Sequence, residues 1–211
     1  MDPHAGQPVV SAGPPVGRGR AVAIMVHGRN AAPANILSLV PALDRPDITY
    51  LAPAAANRTW YPLSFLAPIE QNEPYLTSAL AAIARVVQDV VTRGVARNRI
   101  VLLGFSQGAC LSAEFAIRHP ARYGGIVLFS GGAIGPPGTT WNSNGSFGQT
   151  PVFLGCSDVD AHVPKWRVEE TADVFGRMSA DVTLRIYPGM GHLVINDETA
   201  HAQRVLDAAS R

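Results

Sequence analysis

The sequence predicts an α/β protein with a mostly parallel central sheet and helices on both faces. Three observations carry that expectation. Short runs rich in Val, Ile and Leu recur along the chain, and helical patterns fill the gaps between them. Most of these runs are apolar throughout instead of alternating, as strands covered on both faces are. Strand–helix alternation of this kind builds a parallel sheet.

The strand candidates, in order, are 21–26 (AVAIMV), 48–53 (ITYLAP), 99–105 (RIVLLGF), 124–130 (GGIVLFS), 151–156 (PVFLGC) and 181–188 (DVTLRIYP). The first helix, over 34–43, is short and has a proline inside it. The second, over 73–94, opens on an acidic first turn and ends at Gly94, a C-cap residue. A third starts at Gln107 and stops at Pro120, and two more cover 165–179 and 197–210. No repeat or internal domain boundary is visible. Residues 1–20 are rich in Gly and Pro and read as a loosely ordered lead-in with a short edge strand at 7–10. Residues 21–211 read as a single domain of ordinary size.

Composition narrows the partners. The chain has 211 residues, 47% of them apolar and 16% charged, with 17 basic residues against 16 acidic. That balance, with no basic stripe, favours neither nucleic acid nor an anionic membrane surface. The longest apolar runs are far shorter than a membrane span, and the lead-in lacks the apolar core of a secretory signal. Cys110 and Cys156 read as free, buried thiols in a reducing cytoplasm. Monomer or homodimer is left open.

The chemistry centres on Gly104-Phe105-Ser106-Gln107-Gly108, set between an apolar strand and a helix. A serine at such a sharp turn has its hydroxyl raised above the sheet, and glycines two positions to either side relieve the crowding. The hydroxyl needs a base, and the base an orienting acid, in the chain order Ser, acid, His. His192 lies in a glycine-flanked loop after the last strand and fits the base. Asp158 and Asp160 both follow the strand at 151–156, and spacing does not separate them as the acid. His162 lies beside them, but no further ligands stand at metal spacing, so no metal is expected. The backbone N–H of Gln107, with that of Arg29 in the loop after the first strand, fits an oxyanion hole. His27 precedes the serine and reads as a brace for that loop.

Two long segments, 54–72 and 130–149, follow strand C-termini, the edge where open α/β sheets bind ligands. Trp60, Tyr61, Phe65 and Trp141 in them are the expected lining of a substrate pocket.

In order along the chain, HGRN (27–30), LAPAA (51–55), GFSQGA (104–109), DAHVP (160–164) and GMGH (189–192) resemble the motifs of the phospholipase/carboxylesterase family of α/β-hydrolases, which includes acyl-protein thioesterases. The resemblance implies the α/β-hydrolase fold without a large lid. It also implies Ser106 as nucleophile, Asp160 as acid, His192 as base, and Arg29 and Gln107 as oxyanion N–H donors. It favours Asp160 over Asp158 because Asp160 stands four residues before Pro164. The implied activity is hydrolysis of carboxylic esters through an acyl-enzyme, without a cofactor, and the lack of an obvious long helical lid in the sequence favours small, soluble esters. The alternatives are a lysophospholipase or acyl thioesterase acting on long chains, and a non-catalytic ligand-binding protein of the same fold.

Overall fold

The apolar runs become strands with little shift. In the computed structural model, which describes residues 2–141 and 144–211, the strands are β1 (Val9–Ala12), β2 (Ala21–Val26), β3 (Ile48–Pro53), β4 (Ile100–Phe105), β5 (Gly125–Phe129), β6 (Pro151–Ser157) and β7 (Asp181–Tyr187). They form one sheet in the order β1-β3-β2-β4-β5-β6-β7. β1 is antiparallel to β3, and every other pairing is parallel.

The helices are α1 (Pro33–Leu37), α2 (Val40–Leu43), α3 (Tyr75–Thr92), α4 (Gln107–Arg118), α5 (Lys165–Arg177) and α6 (Asn196–Ala209). The single helix expected over 34–43 is two short ones, each beginning with a proline in its first turn, where a missing N–H costs nothing. Gly94, the expected cap of α3, adopts φ +88°, a left-handed conformation that glycine takes without penalty.

The pleat sorts the strand side chains between two cores. Val22, Ile24, Val26, Leu102 and Leu128 pack with α3, α4 and α5. Ala23, Met25, Val101, Leu103 and Val127 face the other way and pack with α1, α2 and α6. Because β2, β3, β4 and β5 are buried on both faces, their sequences carry no alternation. β7 is an edge strand with one face exposed, and its burial alternates.

The lead-in is better ordered than the sequence predicts. The edge strand lies at Val9–Ala12, two residues later than expected, and pairs with β3. Upstream of it His4 is buried at 1% exposure. Its ring accepts the Ala56 N–H and donates to the Trp60 carbonyl. Asp2 bonds Ser78 and Arg85 of α3. These long-range bonds order a segment whose Gly/Pro-rich composition gives no sign of them.

Among the described residues, no helix is long and apolar enough to cross a membrane.

Candidate active site

The turn between β4 and α4 is built by two glycines with different obligations. A Cβ on Gly104 would lie 2.4 Å from the Gly108 carbonyl oxygen, so the two sides of the turn do crowd each other. Gly108 meets a different wall, the backbone of the neighbouring strand β2, where a Cβ would stand 2.1 Å from the Val26 carbonyl oxygen. Between them Ser106 takes φ +55° and ψ −122°, a conformation unfavourable for any residue with a side chain. It is held by its own N–H donating to the Phe129 carbonyl at 2.9 Å, and by its carbonyl accepting the Cys110 N–H at 3.0 Å.

The strain aims the hydroxyl. Ser106 Oγ lies 2.8 Å from Nε2 of His192, and Nδ1 of His192 lies 2.7 Å from Oδ2 of Asp160. An ionised carboxylate only accepts, so Nδ1 carries the hydrogen, and Nε2 of the neutral ring accepts from the serine. Phe105 packs on the imidazole with ring centroids 4.9 Å apart.

The Asp160 side chain is fully buried. Burial pushes its carboxyl up, but the hydrogen bonds from His192 and from the backbone N–H groups of His162 and Val163 outweigh it, and the net displacement is downward. Cys156 adds a weak thiol contact to Oδ2 at 3.8 Å. Burial raises that thiol to about 12, so it remains protonated.

Asp158 has a separate partner. Its Oδ1 accepts the Gly189 N–H at 2.8 Å, tying down the turn that leads to His192. Of the two aspartates left open by spacing, Asp160 reaches the imidazole and Asp158 its loop.

On the opposite side of Ser106, Gly28 packs against the serine Cβ position. Arg29 follows, and among the described residues its backbone N–H and that of Gln107 have no acceptor. His27 braces this loop. Its Nδ1 donates to the Gly28 carbonyl and its Nε2 accepts the Ala55 N–H, which fixes the tautomer. Burial lowers its basicity against the opposing pull of the Gly28 carbonyl, so it stays neutral.

The Gln107 side chain completes the brace in a way the sequence did not signal. Its amide accepts the Trp60 N–H at 3.0 Å and donates to the Tyr61 carbonyl at 2.8 Å.

A cleft of about 880 Å³ opens over Ser106 and His192. Tyr61 and Phe65 line it, and so do Arg29, Arg58 and His162. Trp60 and Trp141 do not, which corrects the sequence expectation. Trp60 is completely buried beneath the cleft wall, tilted against His27 with ring centroids 5.0 Å apart and donating its indole N–H to the His27 carbonyl. Trp141 packs instead on Arg167, whose guanidinium lies 5.0 Å from the ring centroid. Arg167 is fully buried and donates to the carbonyls of Ala133 and Pro136, so both groups serve the loop over 130–149. Residues 142 and 143 of that loop lie outside the described residues. Cys110 touches the cleft, but burial raises its thiol to about 12, which keeps it protonated. Both cysteines are free and buried. Among the described residues, no cluster of three or more His, Cys, Asp or Glu could hold a metal ion.

A sequence model of the phospholipase/carboxylesterase family matches residues 20–210. The chain belongs to that family. A phospholipase/carboxylesterase from Dyadobacter fermentans superposes with a TM-score of 0.93 at 39% identity, covering 98% of each chain. The carboxylesterase of Bacillus cereus shares the α/β-hydrolase fold, with a TM-score of 0.76 at 18% identity over 97% of this chain and 95% of that one. Acyl-protein thioesterase 1 of Saccharomyces cerevisiae is 32% identical over 124 residues, 57% of this chain and 54% of the yeast protein. The chain thus spans about half the length of the curated relatives it matches.

Proposed function

We propose that this phospholipase/carboxylesterase family member is a serine hydrolase of carboxylic esters, with Ser106 as nucleophile, His192 as base and Asp160 as orienting acid. The reading is carried by the unbroken hydrogen-bond chain from Ser106 Oγ through both nitrogens of His192 to a buried, ionised carboxylate.

As Ser106 Oγ bonds to the ester carbonyl carbon, its proton passes to His192 Nε2, and Asp160 stabilises the resulting imidazolium. The carbonyl π electrons move to oxygen, and the N–H groups of Arg29 and Gln107 hold that oxyanion. Collapse of the tetrahedral species breaks the bond to the alcohol, which leaves with the proton from Nε2. Water then attacks the acyl-enzyme in the same manner and releases the acid and the free serine. The sequence needs no cofactor.

The test is hydrolysis of nitrophenyl esters from acetate to palmitate by wild type and Ser106→Ala. Turnover that peaks at short chains and falls by about 10³-fold or more in the variant is the expected result. A peak at long chains would transfer the proposal to the thioesterase or lysophospholipase reading, which the name of the yeast relative favours. Serine-independent turnover, or none, would sink it.

A further inference from the structure

The cleft has an electrostatic bias that ester hydrolysis does not require. Among the described residues, its lining includes Arg29 and Arg58 but no Asp or Glu. The nearby carboxylate, Asp160, lies below the surface with its side chain fully buried against His192 and the backbone. A concave wall bearing one sign of charge concentrates the opposite sign.

The two guanidiniums are not equivalent. Arg29 donates to the carbonyls of Pro62 at 2.7 Å and Leu63 at 2.5 Å, so its fork is engaged in holding the 61–64 segment. Arg58 is exposed, and among the described residues its guanidinium has neither a hydrogen-bond nor an ion-pair partner. Its backbone is nevertheless tightly held. Asn57 and Arg58 adopt φ +52° and +60°, and the Arg58 carbonyl accepts the Asn30 N–H at 2.8 Å. Asparagine tolerates this left-handed region, but arginine adopts it uncommonly, and such a position is a candidate for placing a group. The backbone that carries this free cation is therefore anchored to the loop that holds Arg29. The Arg58 charge is felt at His27, which its field helps to keep neutral.

We infer that this cleft selects esters carrying a carboxylate on their acyl or alcohol part, with Arg58 pairing that carboxylate. One free planar fork matches one carboxylate through two parallel N–H···O bonds. The inference rests on the ester-hydrolase reading above.

The test compares matched pairs: monomethyl adipate against methyl hexanoate for the acyl side, and 4-acetoxybenzoate against phenyl acetate for the alcohol side. In at least one pair, kcat/KM for the anionic ester exceeds that of its neutral partner by about tenfold or more at low salt. In Arg58→Gln that ratio collapses towards one, and Arg58→Lys retains part of it. Raising ionic strength compresses the ratio, because the pair is solvent-exposed. A ratio at or below one in both pairs, or one that survives Arg58→Gln, overturns the inference. Stronger competition by inorganic phosphate than by acetate also overturns it, since the anion would then be a phosphate.

Calorimetric titration of Ser106→Ala, with and without Arg58→Gln, separates this claim from the hydrolase reading. Arg58-dependent binding of an anionic ester by a protein whose wild type turns over no ester would sink the hydrolase reading alone. Ser106-dependent turnover of phenyl acetate without any preference for carboxylate would sink the Arg58 assignment alone.

Discussion

Glu198 offers a stability prediction whose sign and size both follow from its surroundings. It sits in the first turn of α6 with no exposed surface, and its Oε2 accepts the Ile195 N–H at 3.0 Å. Its other oxygen, Oε1, is buried without a partner among the described residues and lies against Gly155, where a Cβ would stand 2.2 Å away. Burial raises the carboxyl from its ordinary 4.5 to about 7, with a smaller push from Asp197, against the pull of the Ile195 N–H. Between those values the folded chain holds a proton that the unfolded chain has released. The contribution to stability is therefore fully present below the unfolded value and is lost as pH rises through the folded one. A shift of this size corresponds to roughly 3 kcal/mol.

Glu198→Gln keeps an acceptor for Ile195 and removes the titration. Urea unfolding of both proteins from about pH 4.5 to 8 gives the comparison, and all other titrating groups cancel in the difference. Relative to Glu198→Gln, the wild type should lose roughly 3 kcal/mol across that range, with any constant offset between the two proteins immaterial. Parallel profiles would refute a carboxyl that is protonated in the folded state.

Two further contrasts test the site and its frame. Asp160→Asn should lower kcat by about 10³- to 10⁴-fold by removing the carboxylate that fixes the imidazole, whereas Asp158→Ala, which frees only the Gly189 N–H, should lower it by less than about tenfold. Equal losses in steady-state assays of the two variants would contradict the division of labour between the aspartates. Gly108→Ala forces a methyl into the β2 backbone and should destabilise by about 2 kcal/mol or more. Gly176→Ala, in the last turn of α5 with open space around it, should gain roughly 0.5–1 kcal/mol, and thermal melts of the pair read both signs.

The sheet was legible because burial on both faces imposes unbroken apolar runs, and six of its strands lie within one or two residues of where those runs place them. The serine turn was legible for a related reason, since crowding at Gly104 and Gly108 leaves a signature in residue type. Aromatic loop residues carry no such signature. An indole suits a pocket wall and a buried strut equally well, so Trp60 and Trp141 could not be told from Tyr61 and Phe65 by composition. The same holds for polar side chains near a turn: nothing in the sequence distinguishes a Gln107 that bridges Trp60 and Tyr61 from one that faces water. The lead-in defeated sequence reading because its anchors are long-range, such as His4 with Trp60 and Asp2 with Arg85.

The bridge made by His27, Trp60 and Gln107 has a consequence for redesign. It couples the support of the cleft wall to the serine turn, so a change at any of the three should disturb that turn along with the shape of the cleft. Leu63 and Leu193 stand on the rim, 43% and 48% exposed, outside that coupling. Side-chain changes at Leu63 can therefore reshape the cleft without touching those three residues, whereas Leu193 follows His192 directly and shares its loop.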